Sequence, residues 1–178
     1  MNAAAPVHTG HPARTALAVS AGVAGLLWLL VVSVGRQAPP HVDVTAQAGR
    51  LRTAAPYQAY VPHGLPAGWR AVSSRITGTR ADGPVAWHLG YLTARDAYAS
   101  LEQSDESPSA FVPRMANRDR PDGAQQVAGA SWERYYRPDK KQSTLARRLP
   151  GVTLVVTGTA SYDELATLAA ALRPLPRT

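Results

Sequence analysis

One long apolar run near the N-terminus stands out from the pattern of hydrophobic and polar positions. Residues 16–34 contain only two polar side chains, both of them serines. As a helix rising about 1.5 Å per residue, this run spans roughly 28 Å, close to the ~30 Å hydrocarbon core of a bilayer. The apolar part of a cleaved signal peptide is shorter, at about 7 to 15 residues. The pattern therefore predicts a transmembrane helix over residues 15–35, after a short N-terminal tail at residues 1–14. Cleavage at the small-x-small site Ser33-Val34-Gly35 remains the alternative.

The charges that flank this run do not decide which side of the membrane the rest of the chain occupies. Arg36, Arg50 and Arg52 follow the run, and Arg14 precedes it. Taken alone, the positive-inside rule favours a cytoplasmic C-terminal domain. However, a large domain that follows a short tail is translocated largely regardless of its charge. Flanking charge thus leaves both orientations open.

A proline-rich segment separates the apolar run from the remaining chain. Residues 37–66 contain five prolines and little periodicity, which is typical of loops and turns. We predict a stalk over residues 36–56 that contains one short strand around Val42–Leu51. The folded domain is then expected over residues 57–178.

Alternation with a period of two predicts a series of short strands in this domain. The clearest strand places Val85, Trp87, Leu89 and Tyr91 on one face and His88 on the other, and a weaker strand precedes it at Val72–Ile76. Three further strands are predicted by alternation over residues 128–136, 145–149 and 152–156. Short connections between these three favour an antiparallel meander.

The C-terminal segment carries the clearest helix signal. Ser161 and Glu164 have the spacing of a capping box, in which each side chain satisfies a backbone N–H at the start of the helix. Leu165, Leu168, Ala169 and Leu172 form one apolar stripe, and Pro174 ends the helix. We predict an α+β domain in which this helix covers a mainly antiparallel sheet.

Two segments in the middle of the domain are less clear. The residues from Thr93 to Asp96 could cap a helix, yet residues 97–104 also alternate acceptably as a strand. A short helix over one edge of the sheet is predicted at Ser107–Ala116, followed by a polar loop at Arg118–Gly123.

Composition changes this picture in two ways. Cysteine is absent, which excludes disulfides, thiolate zinc sites and cysteine nucleophiles. The formal net charge is +7. A solvated basic surface is one interpretation, and attraction to lipid head groups, wall polymers or nucleic acid is the other.

The sequence shows no catalytic motif. It contains no nucleophile elbow, phosphate-binding loop, dinucleotide-binding fingerprint or zinc-protease motif, and its histidines lack metal-ligand spacing. We therefore predict no catalytic, cofactor-binding or metal-binding residues, no cofactor, and no enzymatic activity. His88 is interpreted as a partly exposed sheet residue. Trp69, Trp87 and Trp132 are interpreted as core residues, with an aromatic ligand groove as the alternative.

Basic residues provide the candidate binding chemistry. Arg147 shares a strand face with Leu145 and Leu149, so it is expected on the inner side of the sheet. An edge strand or a bulge would let its charged group reach solvent. Otherwise, this arginine faces a groove and binds an anion. Six basic side chains around one hairpin form either a solvated tip or a surface for an anionic ligand or partner: Arg134, Arg137, Lys140, Lys141, Arg147 and Arg148.

A set of short motifs resembles an actinobacterial single-span membrane family, domain-of-unknown-function family 4245. The motifs are Leu65–Trp69, Trp87–Thr93, Leu101–Ser104, Phe111-Val112, Gly129–Trp132, Thr157–Ala160 and the terminal helix. The family has no assigned activity, so the resemblance implies no catalytic residues. It does imply that the domain lies outside the cytoplasm. The start motif is also similar to that of sheet domains in membrane-tethered regulators, which implies a strand at residues 97–104.

The resulting expectation is a single-pass cell-membrane protein with a non-catalytic, extracytoplasmic binding or scaffold domain. Its partners are expected to be the lipid bilayer, through the N-terminal helix, and a membrane or cell-envelope component; no nucleic acid is expected. Two alternatives remain open. One is an envelope-sensing regulatory module that acts on a membrane partner. The other is an enzyme with an unrecognised site near His88 or Arg147.

Overall fold

A computed structural model describes residues 42–78, 81 and 83–176 of the chain. The chain divides into two compact units, Met1–Pro39 and Pro40–Thr178, and the described residues belong to the second unit. The predicted N-terminal tail and transmembrane helix lie outside the described residues. None of the helices within the described ranges is long and apolar enough to cross a membrane.

The described residues form three α-helices, a short 3₁₀ helix and nine strands. The helices are α1 (Val44–Ala54), α2 (Pro108–Ala116) and α3 (Tyr162–Ala170), with the 3₁₀ helix at Pro138–Lys140. The strands are β1 (Tyr60–Pro62), β2 (Arg70–Thr77), β3 (Ala86–Leu92), β4 (Tyr98–Ser104), β5 (Gly123–Val127), β6 (Ala130–Arg137), β7 (Gln142–Leu149), β8 (Val152–Gly158) and β9 (Leu172–Pro174).

Seven of these strands make one antiparallel sheet in the order β2-β3-β4-β8-β7-β6-β5, and β1 pairs with β9 in a separate ribbon. The predicted α+β class with an antiparallel sheet is therefore confirmed. The predicted meander is also confirmed, because β6, β7 and β8 are neighbours in the sheet. Residues 98–104 form β4, so the strand interpretation of the ambiguous segment is confirmed.

The inner face of the sheet carries the main apolar core. Alternate side chains such as Trp87, Leu101 and Leu154 are almost completely buried in one cluster, which also includes Leu51 of α1 and Leu165 of α3. Complete burial of an apolar side chain of this size contributes about 1.5 to 3 kcal/mol. The inner face is therefore the main source of stability in this domain.

The outer face carries a smaller cluster beneath α2. Phe111 and Val112 of the helix pack against Tyr135, Ala146 and Val155 of the sheet. Helix α2 contacts β6, β7 and β8, so it lies over three interior strands of the sheet. The prediction of a helix is confirmed, but its expected place over one sheet edge is wrong.

Helix α3 starts as the sequence predicts and ends earlier. Ser161 and Glu164 form the capping box, and Leu165, Leu168 and Ala169 are buried. Leu172, predicted in the helical stripe, instead begins β9 and pairs with Pro62. This part of the prediction was wrong because Leu172 lies one helical turn after Leu168 and so fits the apolar stripe of the helix. Its conformation is instead decided by pairing with a distant strand.

The strand predicted around Val42–Leu51 is wrong, because this segment forms α1. Asp43 caps the helix by accepting a hydrogen bond from the Ala46 N–H at 2.9 Å. Ala48 and Leu51, three residues apart and so on one helical face, are buried in the main core. This part of the predicted stalk is therefore packed into the domain.

Ala128 was predicted in the same strand as Trp132, and this is also wrong. The residue has φ 49°, and Gly129 has φ 78°. Together they make the turn between β5 and β6. Such left-handed backbone ends a strand, and alternation in the sequence does not reveal it.

Candidate functional site

A groove of about 540 Å³ lies between α1 and β1 and is the candidate binding site of the domain. Its volume lies within the ~300–1,000 Å³ range of small-molecule sites. Its wall is formed by Val44, Thr45, Ala48, Gly49 and Arg52 of α1, by Val61, Pro62, His63 and Gly64 at β1, and by Tyr91 and Leu175.

The α1 wall of the groove is placed by the core. Because Ala48 and Leu51 are buried, the rotation of the helix about its axis is fixed. Gly49 then faces the groove, and a Cβ added at this position would meet no atom within 4 Å. The glycine therefore leaves room in the groove, at a cost in helix propensity of about 1 kcal/mol relative to alanine.

The β1 wall is held by one buried amide side chain. Gln103 of β4 is completely buried. Its Oε1 accepts from the Tyr60 N–H at 2.9 Å, and its Nε2 donates to the Tyr60 carbonyl at 2.7 Å. The Gln103 side chain thus satisfies the N–H and the carbonyl of Tyr60, as the backbone of a neighbouring strand would. It holds β1 against the seven-stranded sheet, although β1 is not one of its strands.

The same strand is held along its other edge by β9. Val61 pairs with Arg173, and the His63 N–H donates to the Ala171 carbonyl at 2.9 Å. The Leu175 N–H donates to the Ala59 carbonyl at 2.8 Å. Both edges of the short β1 strand are thus satisfied, which makes the groove wall well defined.

Tyr91 contributes an aromatic wall to the groove. Its ring lies 6.3 Å from the ring of Trp69, with an angle of 60° between the planes. Burial raises the pKa of Tyr91 to about 12. The phenol therefore stays neutral at physiological pH.

A second polar constellation lies on the outer face, across β2, β3 and β4. Ser73 Oγ lies 2.9 Å from His88 Nε2, and His88 Nδ1 lies 2.6 Å from the Glu102 carboxylate. The Tyr98 hydroxyl lies 3.2 Å from the same Nε2. Gly90 makes this packing possible, because a Cβ there would lie 2.3 Å from Ser73 Oγ and 2.4 Å from the Tyr98 hydroxyl.

Hydroxyl, imidazole and carboxylate groups in this order also occur at nucleophilic active sites. Here the three groups come from adjacent positions on neighbouring strands. They lie on the opposite face from the groove, whose wall includes neither Ser73 nor His88. These contacts join three strands. The side chains of His88 and Glu102 are each more than three-quarters buried. The expected partial exposure of His88 is confirmed, and the absence of enzymatic activity stays a prediction.

In the described part of the chain, no three histidine, aspartate or glutamate side chains gather in a way that could hold a metal ion.

The six predicted basic residues lie in different environments. Arg137 makes a bidentate pair with Asp139, with Nε–Oδ1 and Nη2–Oδ2 distances of 2.9 and 3.0 Å. Arg148 pairs with Glu133 on the outer face. Arg134 lies over the Tyr162 ring, 4.0 Å from its centroid. The hairpin thus does not present its arginines as one continuous cationic surface.

The remaining three basic residues are Lys140 and Lys141, which are exposed at the 3₁₀ helix, and Arg147, which is half-buried. Arg147 lies on the inner face with Leu145. Strand β7 is interior, but its pairing with β6 ends at Ala146, one residue before Arg147. The two strands are therefore no longer paired at this arginine. Anion binding by these six residues stays a prediction.

The family model for proteins of unknown function, DUF4245, matches residues 14–172. The chain belongs to the DUF4245 family. The family resemblance inferred from the sequence motifs is therefore confirmed. No curated protein sequence matches the chain.

Two solved structures have a limited likeness to this DUF4245 protein. The crystal structure of MucB in complex with MucA(peri) matches with a TM-score of 0.39 and 16% identity, covering 66% of this chain and 37% of that chain. The complex structure of Pseudomonas aeruginosa MucA/MucB matches with a TM-score of 0.38 and 18% identity, covering 65% and 35%. The chain spans little more than a third of those proteins, and TM-scores this low support no inference about function.

The groove of this DUF4245 protein was missed because its α1 wall comes from the predicted stalk and its β1 wall comes from the start of the domain, where no strand was predicted. A signal for α1 was nevertheless present. Asp43 is a good N-cap residue, and helix-forming residues follow it with Ala48 and Leu51 three apart. No local signal identified Gln103, because its partner Tyr60 lies 43 residues away.

Proposed function

We propose that this domain is a non-catalytic binding or scaffold domain and that its ligand occupies the groove between α1 and β1. We further propose that residues 15–35 anchor the chain in the cell membrane and that the domain lies outside the cytoplasm. The observation that carries the binding proposal is the 540 Å³ groove with mainly apolar walls. Concave sites of this size and character are where proteins usually bind small molecules.

The residues of the groove define the class of ligand. Val44, Ala48, Val61 and Leu175 offer apolar contacts, and Arg52 and His63 line the groove from α1 and from the end of β1. No aspartate or glutamate is among the described lining residues. We therefore expect a largely apolar ligand with a polar or anionic end that lies near Arg52 and His63.

The packing of the groove walls supports binding without a large rearrangement. Helix α1 is fixed by core burial, and β1 is fixed by Gln103 and by β9. A preformed site loses little conformational entropy when a ligand binds, which favours affinity.

Filling the groove tests this proposal. Gly49→Leu should place a side chain in the groove, since Gly49 lines it and a Cβ at this position meets no atom within 4 Å. Gly123→Leu is the matched control, because a Cβ at Gly123 also meets no atom within 4 Å and this residue does not line the groove. Full-length protein purified from its membrane would be extracted and its bound small molecules analysed by mass spectrometry.

We expect a small molecule to be retained by the wild type and by Gly123→Leu, and to be lost from Gly49→Leu. Equal retention by both variants, or no retained molecule in the wild type, would contradict the assignment of the groove. Circular dichroism of both variants would show that their folds are intact.

The membrane topology needs a separate experiment. A reporter that is active only outside the cytoplasm, fused after Thr178, should be active, and the fusion should remain with the membrane after alkaline extraction. Activity of a cytoplasmic reporter alone would reverse the proposed orientation. Recovery of the intact chain in the soluble fraction would contradict the proposal that residues 15–35 anchor it in the membrane.

A further inference from the structure

A second, smaller cavity lies on the other side of β1 and shares no lining residue with the groove. Its volume is about 170 Å³. That is the space of about six water molecules at roughly 30 Å³ each. It is lined by Tyr60, Val127, Ala128, Trp132, Arg147, Leu154, Ala169, Ala170, Leu172 and Arg173. It can hold a small ion and is too small for an ordinary drug-sized ligand.

Two arginines line this cavity and no acidic residue accompanies them among its described lining residues. Arg147 is half-buried and forms no ion pair or side-chain hydrogen bond with a described residue. Leaving a charge partly buried without a partner is costly, because the protein does not replace the lost hydration. The site thus has an unbalanced positive charge.

Arg173 is held in place at the same cavity. Its Nη1 donates to the Ala170 carbonyl at 2.8 Å and to the Leu172 carbonyl at 2.9 Å, at the end of α3. These bonds orient the guanidinium and use only one of its nitrogens. The other nitrogens keep their hydrogens free of partners among the described residues.

Trp132 supplies a third donor. The residue is only 2% exposed, and its indole N–H makes no hydrogen bond to a described residue. The nitrogen is not among the fully buried side-chain atoms that lack a partner, so it is open to the cavity. The side chain lines the cavity, so an acceptor inside the cavity would satisfy it.

The cavity exists because the sheet opens there. The pairing of β6 with β7 ends at Glu133 and Ala146. At the next residue of β6, Trp132, the backbone pairs only with Gln125 of the edge strand β5. Arg147 and Trp132, which follow this last pair on their two strands, are therefore not joined by ladder hydrogen bonds. The space between them is closed by the end of α3 and by β1.

We propose that this cavity binds a small oxyanion, a carboxylate or a phosphate group, through Arg147, Arg173 and the indole N–H of Trp132. Guanidinium groups match both anions because their parallel N–H donors can engage two oxygens. Leu154 and Val127 add buried apolar surface beside the two guanidinium groups, and such surroundings strengthen charged hydrogen bonds. The site is independent of the α1–β1 groove, so either assignment can fail without the other.

Calorimetric titration of the full-length protein in detergent tests the site with two probes, sodium acetate and sodium phosphate, against sodium chloride at equal ionic strength. We expect saturable binding of acetate or phosphate with a Kd at or below about 1 mM. Binding of acetate alone assigns a carboxylate, and binding of phosphate alone assigns a phosphate group. A wild-type protein that binds neither anion would overturn the proposal.

Two neighbouring arginines provide the variant and its control. Arg147→Met should weaken binding at least about tenfold, as expected for loss of hydrogen bonds to a charged group. Arg148→Met removes the same charge from the opposite face, where Arg148 pairs with Glu133, and should leave binding unchanged. Equal weakening by the two variants would show general charge attraction and refute a specific site.

Trp132→Phe provides a second variant should Arg147→Met fail to fold. It removes the indole N–H and keeps an aromatic ring in the cavity. We expect a Kd about fivefold weaker, which corresponds to the loss of one hydrogen bond of about 1 kcal/mol. Unchanged affinity in a folded Trp132→Phe protein would remove Trp132 from the site, and unchanged affinity in Arg147→Met would refute the proposal.

Discussion

The inner face of the sheet is covered by α1, α3 and the β1–β9 ribbon, whereas on the outer face α2 covers β6, β7 and β8. On the inner face, several short elements pack separately on the apolar surface of the sheet. Gaps between them form the α1–β1 groove and the arginine-lined cavity. On the outer face, β2, β3 and β4 instead bring polar side chains together around His88.

This difference shows how one sheet can provide both stability and binding sites. Apolar side chains need a covering element, and several short covering elements leave concave spaces between them. Polar side chains need partners, which neighbouring strands supply directly. The groove and the arginine-lined cavity lie on the inner face, and a cross-strand hydrogen-bond network lies on the outer face.

The largest effect is expected from a comparison of two adjacent residues on opposite faces. Leu101→Ala should lower the free energy of unfolding by about 3 to 5 kcal/mol, because Leu101 is completely buried and a cavity would remain. Glu102→Gln keeps the shape of its side chain on the outer face and should cost about 1 kcal/mol. Urea denaturation followed by tryptophan fluorescence measures both. Similar losses of unfolding free energy in the two variants would contradict the difference between the two faces.

A smaller effect should distinguish the ribbon from the sheet itself. Gln103→Leu removes both hydrogen bonds to Tyr60 and should lower the free energy of unfolding by about 2 to 3 kcal/mol. Because β1 forms a groove wall, hydrogen exchange at the Val61 amide should become faster while exchange in β8 changes less. Equal acceleration in both strands would mean that Gln103 supports the whole sheet instead of the ribbon.

The smallest effect concerns the capping of α3 and depends on pH. Burial alone would raise the pKa of the Glu164 carboxyl, but hydrogen bonds from Thr93 and Ser161 outweigh it and lower this pKa below its usual value. A lowered folded-state pKa stabilises the protein above the unfolded-state pKa, and this contribution is lost as pH falls through the folded-state value. Glu164→Gln should cost about 0.5 to 1 kcal/mol at pH 7.

Measuring the free energy of unfolding of both proteins between about pH 7 and pH 3 checks this prediction. The difference between Glu164→Gln and the wild type should shrink as pH falls below about 4, the usual range of a glutamate pKa. A difference that stays constant over the range would show that the carboxylate charge does not stabilise the cap.

Prediction from the sequence succeeded where a local pattern had one physical solution. The alternating residues Val85, Trp87, Leu89 and Tyr91 are all buried on one face. Ser161 and Glu164 form the predicted capping box. Prediction failed for α1, where prolines on both sides suggested a stalk, although Asp43 and the spacing of Ala48 and Leu51 indicated a helix.

The candidate sites were less predictable than the strands. Arg147 was placed correctly on the inner face, but the end of the β6–β7 pairing beside it was not visible in the sequence. Glu102 and Ser73 were not recognised as partners of His88, because 14 and 15 residues separate them from it. Strand register alone brings these side chains together.

The sequence by itself determined the apolar run, the α+β class, the main strands and the start of α3, because each depends on side chains close together in the chain. Tertiary structure decided the ribbon of β1 and β9, the placement of α1 and both candidate sites. These features depend on contacts between distant segments, such as Gln103 with Tyr60. Burial and strand pairing select such contacts among many locally acceptable alternatives, so local periodicity does not contain them.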